Sequence, residues 1–436
     1  MGDTFKNITS NRYSSYKDSG VEWLGEIPSS WSLTRLGTRF EERKTKVSDK
    51  DFPPLSVTKN GTIPQLDSAA KSNDGDNRKL VKTGDFVINS RSDRKGSSGI
   101  AYQDGSVSLI YIVIEPKDIH PIYCNYLLKS YNFIEEFYRM GHGIVADLWT
   151  TRYDEMKAIM VGIPSIQEQT AIAAFLDRKT ALIDQAIEIK QKQIELLKER
   201  RQILIHKAVT RGLKPNVKMK NSGVEWIGQI PEEWEVKRLK HLGNSIIGLT
   251  YNPNDLCDME EGTLVLRSSN LFEGKFRYGE KENAYVKSRI PKKLLIREED
   301  ILICSRNGSR DLIGKCALAT KFDVGHSFGA FTTVFRSDIN PYVFCILNSS
   351  IFKALSGMFL TSTINQLTIG NLNSIEVPIP PKSEMDEIRF YVENINVKVD
   401  NAISLKEQEI EKLKEYKATM VNSAVTGKIK VYSDAK

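Results

Sequence analysis

Residues 19–36 read SGVEWLGEIPSSWSLTRL, and residues 222–239 read SGVEWIGQIPEEWEVKRL. Ser19, Gly20, Val21, Glu22, Trp23, Gly25, Ile27, Pro28, Trp31, Arg35 and Leu36 each recur 203 positions later. Two tryptophans, a glycine and a proline repeated in register mark two copies of one structural unit in tandem. A second gapless match joins 164–212 to 380–428 at an offset of 216. A chain built this way is suited to touching two similar things at a fixed separation.

The second match has the texture of a long helix. Between Pro164 and Gly212 there is no proline or glycine, and helix-forming residues dominate. Ile183, Ile187, Lys190, Ile194, Leu197, Arg201, Leu204 and Ala208 fall at alternating steps of four and three. That is a heptad seam, the pattern of a helix packed along another helix. Val399, Ile403, Lys406, Ile410, Leu413, Lys417, Met420 and Ala424 repeat it 216 residues on, polar interruptions included. One such seam alone reads as a surface helix on its own domain. Two matched seams read as partners in an intramolecular two-helix coiled coil, with the polar positions setting register.

Outward from these landmarks, residues 1–15 read as a flexible tail and 16–163 as a first globular domain. A long helix is expected over 164–212 and a basic linker over 213–219. A second domain follows over 220–379, then a second long helix over 380–428 and a tail over 429–436. The second globular unit is 13 residues longer than the first, by the difference between the two offsets. In the first, DFVINS (85–90) and SLIYIVIEP (108–116) read as strands, and PIYCNYLLKSYNFIEEFYRM (121–140) as helical. The fold class is α+β. The middles of the units match only at scattered points, such as Asp85 with Asp300, Ser90-Arg91 with Ser305-Arg306 and Gly99 with Gly314. The scaffold is shared and the contents differ.

Composition excludes several classes. With 436 residues, 40% hydrophobic and 27% charged, each half can bury a core of its own. No stretch approaches the ~18 apolar residues of a spanning helix. The opening MGDTFKNITSNRYSS lacks the apolar run of a signal peptide, so a cytoplasmic protein is expected, with no membrane contact. Five scattered cysteines and five scattered histidines offer no metal-ligand spacing or disulfide frame. The net charge of +7 suits a nucleic-acid partner without establishing one.

Motifs of catalysis are missing. No phosphate-binding loop, dinucleotide fingerprint or zinc signature is present. No catalytic residue, metal site or cofactor is therefore assigned to this chain. Binding has more support. The loops SRSDRKGSSG, carrying Arg91, Arg94 and Lys95, and SRNGSRDLIG, carrying Arg306 and Arg310, occupy equivalent places in the two copies. Guanidinium groups among small residues reach phosphate or the O6/N7 edge of guanine. Taken singly, each reads first as a solvated surface arginine; the recurrence after an aligned strand brings the contact reading level with it. Lys59 and Asn60, with Arg267, Ser269 and Asn270, add donors and amides, and Tyr251 adds a stacking or phosphate-binding group. Trp23, Trp31, Trp226 and Trp234 read as anchors of each unit's opening segment in its core, and base-stacking platforms are the lesser reading.

SGVEW[LI]G[EQ]IPxxW at the head of each half resembles the specificity subunit of type I restriction-modification enzymes. IPSIQEQTAIAAFLD (163–177) with AVTRG (208–212), and IPPKSEMDEIRFYVE (379–393) with AVTG (424–427), resemble it too. The likeness covers nearly the whole chain. Gln167-Glu168-Gln169 becomes Ser383-Glu384-Met385 in the second half, so only the glutamate is common. The resemblance implies two target-recognition domains, each reading half of a split duplex DNA sequence. They are held apart by antiparallel helices in a pseudo-two-fold arrangement. It implies two docked adenine methyltransferase subunits that bind S-adenosylmethionine, and a restriction and translocation subunit working with ATP and Mg²⁺. The assembly would be an adenine-specific methyltransferase and site-specific deoxyribonuclease whose active sites all lie on partners. A protein-only coiled-coil scaffold and a stand-alone DNA-acting enzyme are the alternatives. About 45 helical residues at ~1.5 Å each give a rod of about 65 Å, against a major-groove repeat of ~34–36 Å.

Overall fold

A computed structural model of the protein describes residues 12–66, 75–143, 149–358 and 365–431. The chain forms two compact units, one of residues 1–190 with 407–436 and the other of residues 191–406. Both long helices therefore change unit midway. Eight α-helices carry labels: α1 (Pro121–Lys129), α2 (Tyr131–Arg139), α3 (Tyr153–Met156), α4 (Ile166–Arg211), α5 (Asn340–Leu347), α6 (Ser350–Met358), α7 (Ile369–Ser374) and α8 (Lys382–Val425).

In the first unit, an antiparallel sheet has the order Ser98–Ile100, Phe86–Asn89, Tyr111–Pro116, Phe40–Glu42. The second unit repeats that order with Cys316–Leu318, Ile301–Cys304, Thr332–Arg336 and Asn244–Ile247. Asp85 and Asp300 stand just before equivalent strands, and both are buried. Each receives a forked arginine: Arg43 at 2.7 and 3.0 Å, Arg336 at 2.8 and 2.6 Å. The forked bonds meet the hydrogen-bonding needs of a carboxylate that the core withdraws from water. Arg43 follows the strand Phe40–Glu42, whereas Arg336 ends the strand Thr332–Arg336, so the two copies supply the arginine from different places in the common sheet.

The stretch 121–140 is two helices, not one. Ser130 is extended between them, and its hydroxyl accepts the Phe133 N–H at the start of α2. A serine that caps one helix ends its predecessor. In the second unit Ser349 receives the Phe352 N–H in the same way.

Both cores recruit the long helices. In the first unit Trp31, Phe86, Tyr123 and Phe133 pack with Ile172 and Leu176 of α4 and with Met420, Ala424 and Val425 of α8. In the second, Trp234, Phe328, Phe335 and Phe352 pack with Ile205, Ala208 and Val209 of α4 and with Met385, Ile388 and Val392 of α8. Each unit thus uses the start of one helix and the end of the other. Within each unit the two helices lie antiparallel. In the first, Asp184 meets Lys417 at 2.7 Å and Lys190 meets Glu409 at 2.6 Å; in the second, Arg201 meets Asp400 at 2.7 Å.

The seam faces inward. Ile183, Ile194, Ile410 and Met420 are buried, and Ile187, Leu197, Leu204, Val399, Ile403 and Leu413 are half-buried. Leu182, Leu196 and Leu405, one step off the heptad, are exposed. The polar seam residues Lys190, Arg201 and Lys417 each reach a carboxylate on the facing helix, which gives these interruptions their pairing role.

The opening segments are fastened by a repeated clasp. Trp31 Nε1 donates to Glu168 and Trp234 Nε1 to Glu384, each at 3.2 Å, with all four residues buried. This is why the glutamate alone is common to QEQ and SEM. Gly212 ends α4 at φ +70°, where a Cβ would lie 2.7 Å from Glu384 Oε1. Gly427 follows α8 at φ +74°, where a Cβ would lie 2.3 Å from Pro28. The helix-ending glycines thus close each unit against its clasp. Within the expected tail of residues 1–15, Tyr13 already donates its hydroxyl to Glu168. At the other end, Ile429 and Val431 pack on the first core.

Candidate nucleic-acid interface

Loops at one edge of the second unit's strands converge on a cleft of about 550 Å³. Tyr251, Arg267 and Ser269, singled out in sequence, all line it, joined by Lys281 and Phe331. None of its lining residues is acidic, so the cleft favours an anionic or polar partner. Arg267 is braced for this setting. Its Nη2 donates to the Glu282 carbonyl at 2.9 Å, while its Nε is buried without a partner. Ser269 Oγ donates to the same carbonyl at 3.2 Å.

Asn270 requires a correction. It is fully buried, and its Nδ2 donates to the Arg277 carbonyl and to Asn283 Oδ1. Its Oδ1 accepts the Arg267 N–H at 2.9 Å. An amide spent in this manner shapes the loop and has nothing left for a ligand.

Arg306 is exposed, its guanidinium 5.2 Å from the centre of the Phe331 ring. Arg310 is exposed and donates to the Gly357 carbonyl at 3.0 Å. Sequence reading missed Phe331 and Lys281. Phe331 sits in HSFGAFTT (326–333), where small neighbours around a second phenylalanine were the available signal.

The first unit is differently furnished. Arg91 is exposed and lines a smaller cleft of about 370 Å³ with Lys44, Ile110 and Arg152. Lys95 is tied to Glu135 at 2.6 Å, and Arg94 lies 3.7 Å from Asp93. A lysine closed into an ion pair has lost much of its value as a phosphate contact, so Arg91 is the freer group. Lys59 and Asn60 form the exposed two-residue turn between the strands Leu55–Thr58 and Gly61–Pro64. The structure thus assembles Tyr251, Arg267 and Ser269 in one cleft and leaves Lys59, Asn60, Arg94 and Arg310 at its own or other loop surfaces.

Burial pushes the Cys304 thiol up to about 11, and Cys124 and Cys316 higher still. Among the described residues no group of three or more His, Cys, Asp or Glu is placed to hold a metal ion. No described helix is long and apolar enough to cross a membrane.

Residues 231–415 match the family described as Type I restriction modification DNA specificity domain. Two Methanocaldococcus jannaschii proteins are similar along their whole length, named as specificity subunits of the type I restriction enzymes MjaX (provisionally) and MjaVIII. They are 24% and 25% identical over 94% and 93% of this chain, and over 96% and 94% of their own. A chain from a structure on assembly and conformational transition of the type I R-M system shares the fold. Its TM-score is 0.69 at 15% identity, over 92% of this chain and 98% of that one.

Proposed function

We infer that the chain is a specificity subunit of a type I restriction-modification system, and that its two units each read one half of a split duplex DNA target. The observation that carries this is a frame built twice with unlike contents. Trp31–Glu168 and Trp234–Glu384 are the same clasp. Tyr123 and Tyr342 bridge the same pair of carbonyls, of Gly162 and Val425 in one unit and of Pro378 and Val209 in the other. The clefts set on these frames are furnished differently, with Glu42 and Asp154 lining the one beside Arg91 and no acidic residue lining the one beside Phe331. Two equal mounts with different tips suit two different sub-sites on one duplex.

In this reading the chain is non-catalytic. Two adenine methyltransferase subunits dock on it and bring S-adenosylmethionine, and a restriction and translocation subunit joins through them with ATP and Mg²⁺. Arg91 and Arg306 lead the base contacts, while Lys59, Asn60, Arg94, Tyr251, Arg267, Ser269 and Arg310 serve as positioning contacts to phosphate and sugar. The complex works on chromosomal DNA in the cytoplasm.

The test is methylome sequencing of cells that express the chain with its methyltransferase partner. A single motif of two short specified blocks around an unspecified gap, with an adenine modified in each, is expected. A contiguous motif, or none, would refute the two-reader function.

A further inference from the structure

Each unit places an arginine directly after the equivalent central strand, but the residues beneath the two arginines differ. Arg306 lies over the ring of Phe331, which is 60% exposed. Ring and guanidinium are fixed as one piece by the backbone. The Phe331 carbonyl accepts the N–H groups of Ser305 and Arg306, both at 3.0 Å, and Ser305 Oγ at 3.1 Å. In the first unit the Ser90 N–H reaches the Ile110 carbonyl at 3.3 Å, so Ile110 stands where Phe331 does. Ile110, an aliphatic residue, therefore takes beside Arg91 the place that the phenyl ring holds beside Arg306.

A guanidinium laid on an aromatic face keeps its planar edge free, and that edge carries paired N–H donors. Two acceptors side by side, as in guanine O6 and N7, match it in the major groove. The exposed phenyl beside it is apolar and fits the one apolar group displayed there, the thymine C5-methyl. The adjoining cleft, with Arg267 and Lys281 and no acidic lining residue, suits the flanking backbone.

Building on the two-reader function, we propose that Arg306 and Phe331 together read a guanine next to a thymine in the half-site of the second unit. Arg306 donates to O6 and N7, and Phe331 holds the guanidinium plane and covers the neighbouring methyl group. The first unit, lacking the ring, selects its half-site by other contacts.

The complex of the full chain with its methyltransferase partner is compared by methylome sequencing as wild type, Arg306→Lys and Phe331→Ala. Arg306→Lys keeps the charge but not the fork, and should relax the preference for guanine at one position by roughly 5- to 150-fold. Phe331→Ala should relax the adjacent thymine, and both should leave the first half-site as it was. A purified wild-type complex gives the same answer without mutation. One 7-deazaguanine and one neighbouring uracil, substituted singly in the target duplex, should each weaken binding, and the uracil effect should vanish in Phe331→Ala. A bipartite motif whose second half is unchanged in both variants overturns this assignment and leaves the two-reader function standing. Uniform weakening at all sites marks a phosphate contact and overturns it as well. A wild-type motif that is not bipartite removes the function beneath it.

Discussion

Trp234 and Glu384 show how much a single buried pair carries. The indole N–H is the donor that the Glu384 carboxylate receives 3.2 Å away, inside a core that excludes water. Trp234→Phe removes that donor and leaves the carboxylate short, at a cost of about 1–3 kcal/mol. Trp31→Phe should cost less, because Tyr13 still donates to Glu168. Urea titration of the two variants checks the order. Protons act at the same scale. His206 is held below its usual value by burial and then by the Arg211 charge, and His326 by burial against the pull of Asp323. A lowered folded value means the unfolded chain takes the proton first, so stability is full above about pH 6.5 and falls as the pH drops below it. Amide exchange over residues 301–347 of the second unit should therefore quicken between pH 7 and 5, after correction for intrinsic rates. The joint change His206→Gln with His326→Gln should flatten that slope. The shared residues of the frame were legible in sequence because each is repeated. The cleft was not. Tyr251, Arg267, Lys281 and Phe331 meet from four separate loops with no period to link them. Asn270 looked like a free amide because nothing in SSN (268–270) tells that a turn consumes it.

The long helices were the most readable elements, since a seam of eight positions repeated twice leaves little freedom in where it faces. Strands of two to six residues gave far less, being too short to display alternation. The break at Ser130 was hidden inside an unbroken apolar pattern, and only its capping bond to Phe133 reveals it. What the seam predicts energetically is a contrast between neighbours. Ile194 is 2% exposed and Leu196 is 54% exposed on the same turn of α4. Ile194→Ala should cost about 2–5 kcal/mol, and Leu196→Ala within about 0.5 kcal/mol, as read by thermal or urea unfolding followed by circular dichroism. Equal losses would mean that the heptad does not mark the packed face. The charged pairs do a different job. Asp184–Lys417 and Arg201–Asp400 are the same pair carried to the other unit, since 184 and 400, and 201 and 417, are each 216 apart. Being half-exposed, each adds little to stability, so their value lies in rejecting a slipped register. Arg201→Asp should therefore weaken the helix pair modestly, and adding Asp400→Arg should restore it. A double-mutant cycle measures the coupling, expected at about 0.2–1 kcal/mol.

At the level of the whole molecule, α4 and α8 are long elements shared by both units. Residues 166–190 of α4 belong with the first and 191–211 with the second, and α8 divides likewise at 406. Their ends are built into the cores through Ile172, Leu176, Ile205 and Val209, and through Met385, Ile388, Met420 and Val425. Between those ends run the seam residues and the ion pairs Lys190–Glu409 and Arg201–Asp400. An insertion at the crossover therefore leaves both recognition units intact and changes what lies between. One heptad added after Lys190 and another after Lys406 keeps the seam in phase and lengthens the helical segment by ~10 Å. That is about three base-pair steps at ~3.4 Å. If the helices set the separation of the two readers, the methylated motif should keep both of its specified blocks and widen its gap by about three base pairs. A heptad in α4 alone is the control. It cannot satisfy Asp184–Lys417 and Arg201–Asp400 together, so it should lower stability without yielding a clean longer gap. Were the matched double insertion to leave the gap unchanged with both blocks retained, spacing would have to be fixed by the methyltransferase partners, and the helices would serve only to close the cores.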